Sequence, residues 1–161
     1  MRKKLIDRSK CMGCKNCELA CIAVHSDNPT DKRTLLLGGV GEVESPRNKV
    51  QLDKKGNKFP EFCRHCEKPA CVEACMSGAL TKGEDGLVTC NHDLCVGCFM
   101  CVMSCPYGMA RPSAKTGDKM IKCDGCRDRE VMACVAACPQ RCLKQVDDAP
   151  DKGGHVMLEK N

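Results

Sequence analysis

Cysteines are the residues of this chain whose spacing points to chemistry. The clearest group lies between Cys95 and Pro106 and reads C-V-G-C-F-M-C-V-M-S-C-P. Three cysteines are separated by two residues each, a fourth follows after three more, and a proline comes next. Thiolates are ligands for soft metals. Three thiolates with this spacing can face one compact inorganic body only if the backbone wraps closely around it, so the run predicts both ligands and a local shape.

Three further runs repeat this pattern, the first with the same gaps and the second and fourth with a wider middle gap. The cysteines of the four runs are, in sequence order, Cys11, Cys14, Cys17 and Cys21; Cys63, Cys66, Cys71 and Cys75; Cys95, Cys98, Cys101 and Cys105; and Cys123, Cys126, Cys134 and Cys138. In the second run Met76 replaces the proline, and in the fourth the middle gap is seven residues. This spacing is typical of 4Fe-4S ligands in bacterial-type ferredoxins. We therefore predict four 4Fe-4S clusters, and we expect all sixteen cysteines to be metal ligands.

Structural zinc is the main alternative for these cysteines. Pairs of the form C-x2-C are common in zinc sites and would account for the second and fourth runs. They do not explain the third cysteine that follows two residues later in the first and third runs. Nothing in residues 1–10 predicts export, so we expect a cytoplasmic, reducing location in which disulfides are disfavoured. A zinc-dependent interaction or nucleic-acid module remains the alternative from a different class of protein.

The composition indicates that side chains alone form a poor core. The hydrophobic fraction of 42% counts the 18 cysteines, and the chain has no Trp, one Tyr and three Phe. Metal binding can then supply folding free energy. The net charge of +5 treats every thiol as neutral, so it is weak support for nucleic-acid binding. No apolar stretch is long enough for direct membrane insertion. The lysines expected to form a solvated face are Lys3, Lys4, Lys54, Lys55 and Lys58.

Two cysteines lie outside the runs. We expect Cys90 and Cys142 to be buried small apolar residues, because no run lacks a ligand. Inside the second run, His65 is expected to be a hydrogen-bond donor that tunes the cluster, because four thiols are already present. The other histidines have no ligand spacing and are predicted to be surface or packing residues; they are His25, His92 and His155.

Little regular structure is predicted between the runs, and the expected fold class is α+β, small and loop-rich. A D-x-x-G turn between two alternating segments predicts a hairpin. The tail from Asp147 is polar and glycine-rich and is predicted to be mobile. Short strands are predicted at 3–8, 50–52, 57–59, 87–90 and 143–146, the first and last of them adjacent.

With all four runs in view, residues 3–146 resemble the four-cluster ferredoxin-like subunits that accompany hydrogenases, molybdopterin oxidoreductases and carbon monoxide dehydrogenase. The most specific segments are C-R-H-C-E-K-P-A-C-V-E-A-C at 63–75 and C-D-G-C…C-V-A-A-C-P at 123–139. The opening D-R-S-K-C-M-G-C-K-N-C-E-L-A-C-I-A-V-H-S at 7–26 is most similar to the CooF family, the iron–sulfur partners of carbon monoxide dehydrogenase.

The resemblance implies a crossed arrangement of ligands, in which the first run pairs with the fourth and the second with the third. The implied ligand sets are Cys11, Cys14 and Cys17 with Cys138; Cys123, Cys126 and Cys134 with Cys21; Cys63, Cys66 and Cys71 with Cys105; and Cys95, Cys98 and Cys101 with Cys75. Spacing alone would equally allow the third run to pair with the fourth. Two tandem ferredoxin-like halves are implied, an outer half from 1–25 plus 111–161 and an inner half from 59–110. A connecting insertion with a hairpin lies at 26–58.

The resemblance also implies the function, an electron-transfer subunit without a catalytic site of its own. We expect it to relay single electrons from the catalytic subunit of an anaerobic carbon monoxide dehydrogenase to a flavin-dependent NAD(P) oxidoreductase or a hydrogenase. The alternative is the equivalent subunit of a hydrogenase, formate dehydrogenase or molybdopterin oxidoreductase. The chain has no G-x-G-x-x-G motif, so flavin and nicotinamide are expected to bind its partners.

Overall fold

The computed structural model of the chain describes residues 2–26 and 44–146 and the backbone of 156–158. The strands are β1 (Lys3–Ile6), β2 (Asn48–Leu52), β3 (Lys58–Phe62), β4 (Leu80–Lys82), β5 (Val88–Cys90), β6 (Arg111–Pro112), β7 (Met120–Ile121), β8 (Leu143–Val146) and β9 (Val156–Leu158). The helices are α1 (Asn16–His25), α2 (Ala70–Glu73), α3 (Met100–Ser104) and α4 (Ala133–Ala136), and Arg8–Lys10 forms a 3-10 turn. Short helices and small sheets joined by loops agree with the predicted class.

A three-stranded sheet has β1 at its centre, antiparallel to β8 and parallel to β9. The predicted adjacency of the first strand and the strand at 143–146 is therefore confirmed. The first strand is shorter than predicted, because the Asp7 carboxylate accepts the Ser9 N–H at 3.1 Å and starts the 3-10 turn. The predicted mobility of the tail is wrong for 156–158, which pairs with β1. Residues 147–155, with His155, lie outside the described residues.

Three hairpins complete the sheets. The predicted hairpin of the insertion is confirmed as β2 and β3, which pair from Asn48 with Phe62 to Leu52 with Lys58. Its turn is closed by the Asp53 carboxylate, which accepts the N–H groups of Lys55 and Asn57, each at 2.8 Å. Strand β4 pairs with β5 and β6 with β7, both antiparallel. Residues 27–43 of the insertion lie outside the described residues.

The four helices pack in two pairs, α1 against α4 and α2 against α3. The helices contain the third cysteines of the runs, which are Cys17, Cys71, Cys101 and Cys134. In every run the fourth cysteine follows four residues later, about one helical turn, so both thiols lie on the same side. Helix packing therefore brings the first run to the fourth and the second run to the third.

Cysteines contribute directly to the core beside ordinary apolar residues. One buried cluster is built around Ile6, Met132 and Leu143 between the ends of the chain, and a second around Leu80 and Val88. The predicted solvated face is wrong for two lysines. Lys3 and Lys4 are 0% and 1% exposed, because β1 is the central strand of its sheet. The hairpin lysines Lys54, Lys55 and Lys58 are exposed as predicted.

None of the helices in the described part of the chain is long and apolar enough to cross a bilayer.

Candidate metal centres

Four cavities in the described residues are each lined by four run cysteines. They are site A (Cys11, Cys14, Cys17 and Cys138), site B (Cys21, Cys123, Cys126 and Cys134), site C (Cys63, Cys66, Cys71 and Cys105) and site D (Cys75, Cys95, Cys98 and Cys101). The empty space between atoms is of similar size in each, about 320, 290, 340 and 300 Å³ respectively. The structure thus brings the cysteines together in the crossed grouping, with the fourth cysteine of each run in the cavity of its partner run.

The loop between the first two cysteines of each run turns in the same way. The residue just before the second cysteine has a left-handed backbone in all four runs: φ is 74° at Gly13, 44° at His65, 68° at Gly97 and 77° at Gly125. Glycine adopts this conformation without a Cβ penalty, whereas histidine does not. The second run therefore holds a strained residue at the position where the other three runs have glycine.

His65 is fixed in the wall of site C by a backbone contact. Its Nδ1 accepts the Val88 N–H at 2.9 Å, and the residue is 2% exposed. An Nδ1 that accepts leaves the ring proton of the neutral imidazole on Nε2. This tautomer suits the predicted role of His65 as a donor beside the cluster, and it excludes Nδ1 as a metal ligand.

Site B contains a buried amide that fits a bound polar group. Asn48 lines the cavity and is 2% exposed, and neither its Nδ2 nor its Oδ1 has a hydrogen-bond partner among the described residues. A buried amide without a partner is costly. Four sulfur ligands and an available amide donor fit an iron–sulfur cluster, whose sulfur atoms accept hydrogen bonds.

Backbone N–H groups point at several of these sulfurs. The Arg47 N–H donates to Cys21 Sγ at 3.3 Å and the Met109 N–H to Cys105 Sγ at 3.4 Å. At Cys75, burial opposes ionisation, but N–H groups that include Leu80 outweigh it and the pKa of the thiol lies below its usual value. Such donors stabilise a thiolate over a thiol.

Buried lysines supply positive charge between sites B and C. Lys4 Nζ donates to Cys123 Sγ at 3.2 Å. Burial disfavours the charge, but the attraction of Cys123 and Cys134 raises the Lys4 pKa above its ordinary value. In return, although burial opposes it, the charge on Lys4 lowers the pKa of Cys123. Lys122 Nζ donates to the Cys123 carbonyl at 2.9 Å and to the Val88 carbonyl.

Elsewhere, burial favours the protonated thiol when no metal is bound. It raises the pKa of Cys17 to about 12, and those of Cys71 and Cys134 each to about 11. Metal ligation requires thiolates, so binding must release these protons. A cluster supplies the positive charge that the buried thiolates otherwise lack.

A polar network that was not predicted from the sequence adjoins site B. His25 Nε2 lies 3.0 Å from Asp124 Oδ2, and Arg47 donates to the same oxygen at 2.6 Å. His25 Nδ1 lies 2.7 Å from the Cys21 carbonyl oxygen. The position of His25, one helical turn after Cys21, was a sequence signal for its place in this network. No sequence signal pointed to Arg47. His25, Asp124 and Cys126 also have metal-like spacing, but Cys126 belongs to site B, so they are not a separate centre.

The two extra cysteines also lie at the sites. Cys142 is 4% exposed and lines site A, and Cys90 is half-buried and lines site D. Burial is as predicted for Cys142, but neither residue is only an apolar filler, because both face cluster cavities.

Among the described residues, sites A and D each have an exposed ligand cysteine and sites B and C have none, so we call A and D the surface sites and B and C the interior sites. Cys14 of site A and Cys98 of site D are exposed, whereas the cysteines of the other two sites are buried or half-buried. Sites B and C meet where Cys63, Cys123 and Met109 pack together. The four sites thus follow one another in the order A, B, C and D.

The four cysteine-lined sites are typical of an iron–sulfur protein, and comparison with known proteins agrees. Residues 55–148 match the 4Fe-4S dicluster domain family. The chain is also similar to the B subunit of the anaerobic dimethyl sulfoxide reductase of Escherichia coli (strain K12), with 38% identity over 158 residues that cover 94% of this chain and 77% of that relative.

Two further Escherichia coli (strain K12) proteins are similar. The probable anaerobic dimethyl sulfoxide reductase subunit YnfG is 38% identical over 144 residues, which cover 86% of this chain and 70% of YnfG. Protein NrfC is 34% identical over 164 residues, which cover 96% of this chain and 70% of NrfC. None of these three supports the predicted carbon monoxide dehydrogenase partner.

The chain belongs to the 4Fe-4S dicluster domain family. It is an iron–sulfur electron-transfer subunit of an oxidoreductase complex, not the catalytic enzyme, and its sixteen run cysteines fit four 4Fe-4S clusters. The family therefore favours iron over zinc at these sites.

Proposed function

We propose that this chain carries electrons between two partner proteins through four 4Fe-4S clusters held at sites A, B, C and D. The ligand sets are the four cysteines of each site. The observation that supports this best is that four cavities of similar size are each lined by four cysteines in the crossed grouping. Each bound cluster exchanges one electron at a time.

The residues of this chain keep neighbouring sites close together. Cys17 and Cys21 of α1 face sites A and B, and Cys71 and Cys75 face sites C and D, one helical turn apart in both cases. Between sites B and C, Lys4 and Lys122 hold positive charge beside Cys123. Because thiolate-ligated clusters carry negative charge, these lysines favour the reduced state of the two interior sites.

The tandem organisation follows from the same grouping. Sites A and B draw on the first and fourth runs, and sites C and D on the second and third. We therefore assign residues 1–25 and 111–161 to an outer ferredoxin-like half and residues 59–110 to an inner half, with 26–58 as the connection. The packing of α1 on α4 and of α2 on α3 supports this division.

The partner that we propose is a molybdopterin oxidoreductase of the dimethyl sulfoxide reductase type, since the B subunit of that enzyme is similar over 94% of this chain. Carbon monoxide dehydrogenase is the second candidate. It is favoured by the resemblance of residues 7–26 to its iron–sulfur partners. In both cases the complex would work in the cytoplasm.

The two surface sites have different rims. Exposed apolar side chains are close in sequence to the cysteines of site D, with Met76 85% and Met103 82% exposed; the others are Leu94, Met100 and Val96, which lines the cavity. At site A, Arg8 and Lys58 line a cleft beside Cys11. Exposed apolar patches mark protein interfaces, whereas charged rims suit transient encounters. We propose that the catalytic subunit covers site D and that the second partner docks at site A.

The experiment is anaerobic purification of the tagged protein from its native host. We expect about sixteen iron atoms without zinc and a co-purifying molybdopterin subunit. Addition of an S-oxide should reoxidise the reduced clusters of this complex. Reduction of the clusters by carbon monoxide would instead support the second candidate, and a colourless zinc protein would contradict the proposal.

A pair of variants tests the assigned interface. We expect Met103→Glu to abolish co-purification of the catalytic subunit, because it places a charge in the apolar rim of site D. Met12→Glu is the matched control, since Met12 is 52% exposed and lies at site A. Retention of the catalytic subunit by Met103→Glu and its loss from Met12→Glu would reverse the assignment.

A further inference from the structure

A thiol outside the four ligand sets contacts a ligand cysteine of site A. The Sγ of Cys142 lies 3.3 Å from the Sγ of Cys138, and Cys11 lines the same cavity. Cys142 is 4% exposed and lines that cavity too. It therefore contacts a ligand sulfur of the site from within the protein.

Site D has a thiol in the corresponding role. Cys90 ends β5 and lines the cavity together with Cys95, the first cysteine of the third run, and it packs against the buried cluster that contains Cys95. Neither thiol completes a missing ligand set, because each site already has four cysteines. Both are placed to interact with a ligand sulfur.

The backbone around the two thiols is matched between sites A and D. The Cys142 carbonyl accepts the Asp7 N–H at 2.9 Å, and the Ala79 carbonyl accepts the Asn91 N–H at 2.8 Å. Cys142 and Ala79 each follow the last cysteine of their run by four residues. The two segments therefore make the same contact beside sites A and D.

At these matched places, the thiol and the apolar residue occupy opposite positions at the two sites. Beside site A, the strand before the run ends in Ile6 and the segment after the partner run supplies Cys142. Beside site D, the strand before the run ends in Cys90 and the other segment supplies Ala79. Each surface site thus has one apolar residue and one thiol, contributed from opposite sides.

We propose that Cys142 and Cys90 are positioning residues that donate S–H···S hydrogen bonds to ligand sulfurs of sites A and D and raise the reduction potentials there. This inference rests on the proposed ligand sets. A thiol has one donor. A hydrogen bond to a ligand sulfur favours the more negatively charged, reduced state of a cluster. The two surface sites would then accept electrons more readily than the same ligand sets without these thiols.

The test is an anaerobic redox titration of the full-length protein, followed by electron paramagnetic resonance. We expect Cys142→Ala to move one of the four reduction steps to a more negative potential. The expected shift is up to about tenfold in the one-electron equilibrium, or about 59 mV. Cys142→Ser keeps a donor and should restore the step to at least the wild-type position. Cys90→Ala should move a different step and leave the first unchanged.

Three results would overturn the inference: no shift in either alanine variant, a shift of the same step in both, or loss of one cluster's iron from Cys142→Ala. The last result would make Cys142 a ligand. Failure of the proposed function is distinguishable, because the wild-type protein itself would then lack four reduction steps and its expected iron.

Discussion

Lys4 donates from Nζ to the Sγ of Cys123 at 3.2 Å, and this lysine is only 1% exposed. Its ammonium also lies 4.9 Å from the centre of the Phe62 ring. A buried ammonium is unfavourable unless it is paired. The negative charge of site B provides the pairing, so the cation and the metal site stabilise each other.

Replacing Lys4 by methionine tests this coupling. Lys4→Met keeps most of the buried side-chain volume and removes the positive charge beside Cys123. We expect the reduction potential of one interior cluster to become more negative, because the reduced state loses its nearest compensating charge. Redox titration monitored by electron paramagnetic resonance measures the shift. Lys54→Met, on the exposed hairpin, is the control and should leave every step in place; equal effects of the two variants would contradict the coupling.

Gly97 is predicted to be far more sensitive to substitution than Gly78, although both have a φ of 68°. A Cβ on Gly97 would lie 2.0 Å from the Asp118 carbonyl oxygen, whereas a Cβ on Gly78 meets nothing within 4 Å. Both alanine variants carry a left-handed backbone penalty of about 1–2 kcal/mol. Only Gly97→Ala adds a backbone clash beside Cys98. We expect it to lose iron from site D while Gly78→Ala keeps it, as measured by metal analysis; similar iron contents in the two would refute this explanation.

Glu44 ties two distant loops together. Its carboxylate accepts the N–H groups of Ser45 at 2.7 Å and Ala114 at 2.9 Å and the hydroxyl of Ser113. Burial opposes ionisation, but these hydrogen bonds outweigh it and the Glu44 pKa lies below its ordinary value. The carboxylate therefore stabilises the fold above the unfolded-state pKa of about 4.3, and this contribution is lost as pH falls through the folded-state pKa.

We expect Glu44→Gln to lower stability at neutral pH by about 1–3 kcal/mol, because it weakens hydrogen bonds to a charged group. The difference from wild type should stay constant between about pH 6 and 8, where Glu44 is ionised in both the folded and unfolded states. Thermal loss of the visible cluster absorbance is the measurement. Glu84→Gln, at an exposed position, is the control. A difference that changes across this range would show that another group titrates.

The cysteine runs could be recognised from the sequence because their information is local. Spacing within each run specifies the loop and the helical turn that follow, and the glycine at positions such as 13 and 97 permits the left-handed backbone. Local signals also predicted two other elements: a short apolar alternation predicted strand β8, and a D-x-x-G turn predicted the β2–β3 hairpin. The family resemblance supplied the crossed grouping, which spacing alone left open.

The surroundings of the sites could not be predicted because they depend on distant contacts. In the sequence, Lys4 looks like one of a pair of surface lysines. In the fold it is buried because β8 and β9 pair with both edges of β1. Asn48 and Arg47 reach site B from the insertion, and Asp124 pairs with His25 across 99 residues of sequence. Charge compensation and hydrogen bonding around the metal therefore arise from the tertiary fold.

The crossed grouping is tested most directly by electron paramagnetic resonance of Cys21→Ala, purified anaerobically. Cys21 belongs to the first run but lines site B. Its spectrum should therefore match that of Cys126→Ala, a site B variant from the fourth run, with the signal of site A retained. A Cys21→Ala spectrum that instead matched Cys14→Ala, with site A lost and site B intact, would contradict the crossed grouping.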